Sequence, residues 1–523
     1  MPAQVTFFLD TESEHPEAFR LVLADEGGRF FDPSEAHFFK RNDSAGRSWA
    51  YGRDRIVYDL PAGHYAWCAS AGFEWTTTGG RFSVGGVRPI EITARLSRII
   101  NLAAEGLVSA DAHVHICRGE KDPSPEIPFI AEGIDYAGAQ VWGLYTSGET
   151  LGQPPATPHF RCGRTWVSTD EEVEMHSPWG VWEDTTVMGL KSPLPNLAKG
   201  FGYRMNAAYY NAARERGCSL IVYQAPTWAQ FNVDVGLGLV DSTNVCDNYF
   251  SMIRPEEGPW DYTYFGGDDP LQRQARGIAH WIFDAWYRVL NAGAPLPCSG
   301  GSAYPGGGGG GPIGMNRFYI YADRTKGPDE WNLQWREGAT FATNGPLLLT
   351  EIDGRRPSAD FIAPTARHHA VIRAVSNRPL SKLEWVADGE VVAEHECDES
   401  EYPAEVLWEA TLDLRKHSWV AARAFGRSER ALAGPAGWVS PPFLAAHTSP
   451  YYLQNFVDGP EAREVAIHDI IERLEWMERV LRGLAPAPFA TLPVGDRPLG
   501  REERDEALAF IGQAKQRWQN QLA

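Results

Sequence analysis

The sequence lacks the features that mark membrane-spanning, secreted and disulfide-bonded proteins. No run of 18 apolar residues occurs, and the beginning, MPAQVTFFLDTESEHPEAF, has no basic segment, so we expect neither a membrane span nor a signal peptide. The seven cysteines form no C-x-x-C pair, which argues against a disulfide scaffold and a thiolate zinc site. These absences predict a cytoplasmic protein in a reducing compartment.

The sequence also has fewer positively charged residues than negatively charged ones. Lys and Arg together number 48 against 68 Asp and Glu, and the formal net charge is −20. Phosphate backbones and anionic lipids repel a surface with this excess of negative charge. We therefore expect no nucleic acid and no membrane as a partner.

Two catalytic motifs are missing as well. No G-x-S-x-G occurs, so a covalent serine mechanism has no support. The glycine run Gly306–Gly311 is followed by Pro312 and Ile313, so it does not match a nucleotide phosphate loop. A flexible linker is the favoured interpretation of this run, and a lid or an anion-binding loop is the alternative.

Hydrophobic periodicity changes along the chain and divides it into four regions. The composition, 43% hydrophobic and 22% charged, is typical of an ordered protein, and about 150 residues per domain predicts roughly three domains. Residues 1–105 and 346–448 have short strand and turn patterns, which predict an N-terminal and a C-terminal β-sandwich. Residues 106–345 alternate strands and helices, which predicts an α/β fold with a largely parallel sheet or barrel. Residues 449–523 predict a helical tail.

Four segments illustrate these patterns. PIEITARLS alternates apolar and polar residues, as a half-buried strand does. NAAYYNAARERG predicts a helix that ends at Gly217, and the apolar segment CSLIVYQAP predicts a buried strand after it. KLEWVADGEVVAEHE predicts a hairpin that turns at Asp388-Gly389. Near the end of the chain a helix is expected from about residue 501 to about residue 520.

The segment SADAHVHICRG holds the strongest candidate for chemistry. Asp111, His113 and His115 occupy alternate positions, so in an extended chain their side chains point to the same face. Two imidazoles at this spacing can bind one metal ion at about 2.1 Å, and a neighbouring carboxylate can bind the ion or orient a histidine. The alternative is a hydrogen-bonded histidine pair with no metal. A position at the carboxyl end of a barrel strand favours the metal site.

Several segments together resemble one enzyme family. They are SADAHVHI, TVMGLKSP, FATNGPLLLTEIDGRRP and HTSPYYLQNFVDG, and they resemble the carbaryl-hydrolase-type (CehA/McbA) metallohydrolases of the PHP superfamily. The resemblance covers nearly the whole chain. It implies a distorted (β/α)7 barrel that holds two or three divalent ions, which activate water against esters, carbamates, amides or phosphoesters.

The resemblance also implies which residues bind metal. His113 and His115 match the first motif. Glu172 or Glu174 supplies the next ligand, and we take Glu174 as that ligand. Asp184 falls where the family has a histidine, and with Asp111 it is the expected catalytic carboxylate.

Two further family ligands are replaced. Ala225 stands where the third motif has a histidine, and Ser302 stands near the place of an aspartate in the fourth. Alanine has no donor, and a hydroxyl is a poor substitute for a carboxylate toward a hard cation. The implied site therefore holds one divalent ion, namely zinc, manganese or iron.

These observations lead to one expected function and two alternatives. The expected function is a metal-dependent hydrolase that acts on an ester, carbamate or amide bond of a small molecule. The first alternative is a catalytically inactive subunit with a binding or scaffolding role beside an active partner. The second, less favoured, is a mononuclear non-haem iron enzyme, because two histidines and one carboxylate also suit iron. A homo-oligomer and a heteromer with a related subunit are both compatible with these functions.

Overall fold

The computed structural model describes most of the chain. The described residues are 2–12, 14–42, 47–115, 124–142, 157–176, 182–195, 197, 204–247, 282–304, 311–398, 402–426, 444–454, 461–485 and 500–522. Most of the Gly306–Gly311 run therefore lies outside them. None of the helices within these ranges is both long enough and apolar enough to cross a membrane.

Strands dominate the structure, with 41% of the described residues in strands and 21% in helices. The strands are β1 (Ala3–Leu9), β2 (Phe19–Asp25), β3 (Phe38–Asn42), β4 (Arg47–Gly52), β5 (Arg55–Leu60), β6 (Gly63–Ser70), β7 (Thr78–Val84), β8 (Ile90–Ala94), β9 (Leu107–Val114), β10 (Tyr136–Ala139), β11 (His159–Cys162), β12 (Thr165–Thr169), β13 (Glu171–His176), β14 (Trp182–Met188), β15 (Leu220–Tyr223), β16 (Ser242–Cys246), β17 (Cys298–Gly300), β18 (Arg317–Tyr321), β19 (Thr340–Thr343), β20 (Leu347–Ile352), β21 (His368–Ser376), β22 (Leu380–Ala387), β23 (Glu390–Glu396), β24 (Ala404–Leu412), β25 (Trp419–Gly426), β26 (Leu444–Thr448) and β27 (Tyr451–Tyr452).

Helices are fewer and mostly short. The helical segments are Glu126–Glu132, Asn206–Glu215, Phe231–Gly236, residues 282–291, Pro328–Arg336, Glu461–Leu481 and Arg501–Asn520. The last of these agrees with the helix expected from about residue 501.

The expected α/β fold with a distorted (β/α)7 barrel is wrong. The strands lie in several sheets, and no closed barrel forms within the described part of the chain. β13 and β14 pair antiparallel as a hairpin. β18 and β19 also pair antiparallel, although the helix Pro328–Arg336 lies between them. The physical reason is that an alternation of strand and helix patterns does not reveal whether successive strands run parallel or antiparallel.

The first eight strands form two sheets around one apolar core. One sheet has the order β5-β1-β8, and the other has the order β3-β4-β2-β6-β7. Phe7, Tyr58 and Trp67 are among the residues of the core between them. The predicted strand near residue 90 is confirmed as β8, where Glu91 and Thr93 are exposed.

The next strands position the candidate site. β9 lies inside an 11-stranded sheet, where it pairs parallel with β10 and antiparallel with β18. A second sheet has the order β13-β14-β15-β16-β17, and β15, β16 and β17 run parallel. A parallel bridge between Val114 and Tyr304 joins the two sheets. The carboxyl ends of β9 and β17 are therefore neighbours.

Two local predictions are confirmed. The helix Asn206–Glu215 is followed by Gly217 with a φ of +72°, a conformation that suits glycine. β22 and β23 form the predicted hairpin, in which Ala387 pairs with Glu390 across Asp388 and Gly389. The 11-stranded sheet passes from β19 to β26 and so crosses the proposed boundary at residue 345. The domain boundaries themselves remain predictions.

Candidate metal centre

The candidate site begins at the carboxyl end of β9. All eight residues of LVSADAHV are buried, as expected for a strand in the interior of a sheet whose two faces are both covered. His113 lies within the strand, and His115 follows directly after it. The backbone N–H of His115 donates to the carbonyl of Tyr304, so the end of β9 is held against the segment that follows β17.

Three side chains converge here. His113 Nε2 lies 2.6 Å from His115 Nε2 and 3.0 Å from Glu172 Oε1. His115 Nε2 lies 3.8 Å from Glu172 Oε2. Two ligand atoms bonded to one ion at about 2.1 Å each can be at most about 4.2 Å apart, which is their separation on opposite sides of the ion. The three distances between the side chains are all shorter than this limit. This buried group could hold a metal ion.

The electrostatics of the group also suit a cation. Burial raises the pKa of the Glu172 carboxyl, but the imidazoles of His115 and His113, with hydrogen bonds from His113 and Gln224, outweigh burial and lower the pKa to about 2. Glu172 is therefore ionised at neutral pH. Two imidazole nitrogens that face each other beside a carboxylate need a shared proton or a cation between them.

Glu172 is held by a residue at the end of β15, two strands away in the same sheet. Gln224, which directly follows β15, donates from Nε2 to Glu172 Oε1 at 3.1 Å and to Thr186 Oγ1 at 3.2 Å. The Gln224 side chain is buried. Hydrogen bonds of this kind orient a carboxylate before it binds a metal.

Asp111 has a different environment from the one expected of a catalytic carboxylate. It accepts hydrogen bonds from the Ser302 hydroxyl, from the backbone N–H of Ser302, from that of Gly314 and from that of His113. Burial raises the pKa of Asp111, and these hydrogen bonds oppose that rise. Asp111, which lies on β9, thus joins this strand to the residues after β17. Its catalytic role stays a prediction.

Glu174 and Asp184 face each other across the hairpin of β13 and β14. The side chain of Glu174 lies outside the described part of the structure, as does that of His176. Asp184 is half-buried, and its carbonyl accepts the backbone N–H of Gln224. The described group contains Glu172, the other glutamate that the sequence offered, and the assignment of Glu174 as a ligand stays a prediction.

The two positions at which the resemblance predicted further ligands, Ala225 and Ser302, have clear structural roles. Ala225 is fully buried and belongs to the large apolar core. Ser302 is fully buried and engaged with Asp111. Neither residue presents a donor for a second ion.

Two polar residues near the site were missed from the sequence. Gln224 directly follows the short apolar strand LIVY, whereas Asn244 is the central residue of the strand STNVC. A polar residue at the carboxyl end of a buried parallel strand is the signal that could have identified Gln224. The position of Asn244 within its strand gives no such signal.

Comparisons with protein-family models, with curated proteins and with solved structures found no match to this chain.

Proposed function

We propose that this chain is a metal-dependent hydrolase that acts on an ester, carbamate or amide bond of a small molecule. In this proposal His113, His115 and Glu172 hold one divalent ion, which is zinc, manganese or iron. The observation that supports it is the buried convergence of two imidazoles and an ionised carboxylate. The kind of bond rests on the resemblance to carbaryl-hydrolase-type enzymes.

Three protein ligands suit a catalytic site better than a structural one. Structural sites for zinc use four protein ligands, whereas catalytic sites use three and keep one position open. A divalent ion at such a site lowers the pKa of bound water toward about 7 and polarises a carbonyl. Two further residues position the ligands. Gln224 orients Glu172, and Asp111 holds the end of β9 in place.

The residues around the site support the binding of one metal ion per chain. A second ion needs donors beyond the first three. Ala225 lies in apolar core, and Ser302 gives its hydroxyl hydrogen to Asp111. The same two observations favour the second candidate function, a non-catalytic binding subunit of a larger assembly.

The proposal is tested first by measuring the metal content of the protein and then by measuring hydrolysis. We expect one tightly bound ion per chain in the purified protein by elemental analysis after dialysis, and its loss in His113→Ala and His115→Ala. His368→Ala is the matched control, because His368 is also a buried histidine beside a carboxylate, Asp353 at 2.7 Å, but lies on β21. The control should keep its ion.

Activity then separates the two candidates. Hydrolysis of an aryl acetate or an aryl N-methylcarbamate that is abolished by chelator and by His113→Ala supports the hydrolase. Bound metal without hydrolysis of any ester, carbamate or amide in a substrate panel supports the binding subunit. A wild-type protein that binds no divalent ion contradicts the proposed metal site.

A further inference from the structure

Asn244 is the central residue of β16 and lies close to His113. It is fully buried. Gly301 separates the two residues: a Cβ atom added to this glycine would lie 2.6 Å from His113 Cβ and 2.7 Å from Asn244 Nδ2. Gly301 therefore packs between the amide nitrogen of Asn244 and the Cβ of His113, and only a residue without a side chain fits there.

The orientation of the Asn244 amide is set by a chain of hydrogen bonds. Ser299 Oγ donates to Asn244 Oδ1 at 2.8 Å. Ser242 Oγ lies 3.0 Å from Ser299 Oγ and accepts the indole N–H of Trp335 at 2.9 Å. Because the amide oxygen is engaged by Ser299, the amide nitrogen is the end directed toward Gly301.

The amide nitrogen has no hydrogen-bond partner among the described residues. Buried polar groups in proteins nearly always have a partner, so a buried donor without one requires an explanation. Functional sites are where such donors are retained, because a ligand supplies the missing acceptor.

We infer that Asn244 is a substrate-positioning residue whose Nδ2 donates a hydrogen bond to an oxygen atom of the small molecule bound beside His113. The inference rests on the proposed function. A neutral N–H donor selects an acceptor, so the ligand class is one with a carbonyl or carboxylate oxygen. An ester, a carbamate and an amide each present such an oxygen, and negative charge develops on it during hydrolysis.

The experiment measures ligand binding separately from metal binding. The protein is loaded with cobalt(II), and acetohydroxamate, a small ligand with two oxygen atoms, is titrated in while the cobalt absorption spectrum is followed. Asn244→Leu removes the donor at similar volume, and Asn244→Asp replaces it with an acceptor. We expect unchanged cobalt affinity in both variants. Acetohydroxamate affinity should fall about tenfold in Asn244→Leu and further in Asn244→Asp, because a buried carboxylate repels the ligand oxygen.

A matched control and a milder variant complete the design. Asn332 is also a buried asparagine whose Nδ2 has no partner within the described ranges and whose Oδ1 accepts a hydroxyl hydrogen from Tyr136, so Asn332→Asp should leave acetohydroxamate affinity unchanged. Ser299→Ala leaves Asn244 in place but frees its amide to rotate, and a loss of a few-fold is expected. If Asn244→Leu does not fold, Asn244→Asp and Ser299→Ala provide the test.

Two results would overturn the inference. Equal acetohydroxamate affinity in wild type and the Asn244 variants would show that the amide does not contact the ligand. A loss of cobalt affinity in those variants would make Asn244 a support for His113 instead. A wild-type protein that takes up no cobalt is a third and separate result, which would remove the proposed function and this inference with it.

Discussion

Ser302 and Asp111 form a buried pair that joins the two sheets beside the candidate site. The Ser302 hydroxyl donates to Asp111 Oδ2 at 2.5 Å, and its backbone N–H donates to Asp111 Oδ1 at 3.0 Å. Both residues are almost completely buried. The resemblance to carbaryl-hydrolase-type enzymes places a metal-binding aspartate near position 302. In this chain the serine instead stabilises a neighbouring carboxylate.

The first prediction tests this pair. Ser302→Ala removes a hydrogen bond to a buried carboxyl group and should lower the free energy of unfolding by about 1.5–3 kcal/mol. Ser302→Asp should cost more, because it places a second carboxylate against Asp111 in a buried position. Urea unfolding measures both variants. Ser97→Ala, at an exposed serine, is the control, and an equal effect in Ser302→Ala and Ser97→Ala would contradict the structural role.

The second prediction decides between two glutamates of β13. If Glu172 is the metal ligand, Glu172→Gln should weaken metal affinity by at least the tenfold to hundredfold typical of a lost supporting contact. Glu174→Gln should leave metal affinity unchanged. Isothermal titration with zinc or manganese measures both. A large loss in Glu174→Gln with none in Glu172→Gln would restore the ligand assignment made from the sequence.

These two glutamates show where reasoning from the sequence stops. Glu172 and Glu174 are two positions apart, so a strand places both on one face, and periodicity cannot choose between them. The choice depends on Gln224, which is 52 positions away in the sequence and donates to Glu172. Likewise, no local pattern connects Asp111 to Ser302, 191 positions away.

Local features were predictable because local rules determine them. The histidine pair at the end of β9, the helix that ends before Gly217 and the turn at Asp388-Gly389 each depend on a few adjacent residues. The absence of a barrel was not predictable in this way. β18 and β19 flank the helix Pro328–Arg336 but pair antiparallel, and the sequence pattern of strand, helix and strand does not reveal whether two strands run parallel or antiparallel.

The third prediction concerns Ala225, the position where the resemblance to carbaryl-hydrolase-type enzymes would place a histidine. Ala225 is fully buried in the apolar core, so Ala225→His adds a larger polar side chain where there is no space for it. The free energy of unfolding should fall by about 1–3 kcal/mol, and metal content should not rise. Thermal unfolding and elemental analysis measure the two effects. Ala104→His, at an exposed alanine, is the control, and a second bound ion in Ala225→His would contradict the prediction.

The fourth prediction concerns pH and the hairpin of β22 and β23. Asp388 has a φ of +51° at the turn. Its carboxylate accepts hydrogen bonds from the backbone N–H groups of Ser418 and Trp419 and from His417 Nδ1 at 2.9 Å. These contacts join the turn to the beginning of β25. The hydrogen bond to Asp388 raises the pKa of His417 above its usual 6.5, and burial only partly opposes this rise.

A histidine whose pKa is higher in the folded protein than in the unfolded chain stabilises the fold most below the unfolded pKa. The contribution is lost as the pH rises through the folded pKa. His417→Gln should therefore be less stable than wild type at pH 6, by an amount on the order of 1 kcal/mol for a charge-assisted hydrogen bond, and the difference should shrink by pH 9. Urea unfolding at both pH values measures it. His369→Gln is the control, because His369 pairs with Glu409 in an exposed position where solvent screens the interaction, and it should differ little from wild type at either pH. A gap between His417→Gln and wild type that stays constant or widens from pH 6 to pH 9 would mean that the charge on His417 does not stabilise this turn.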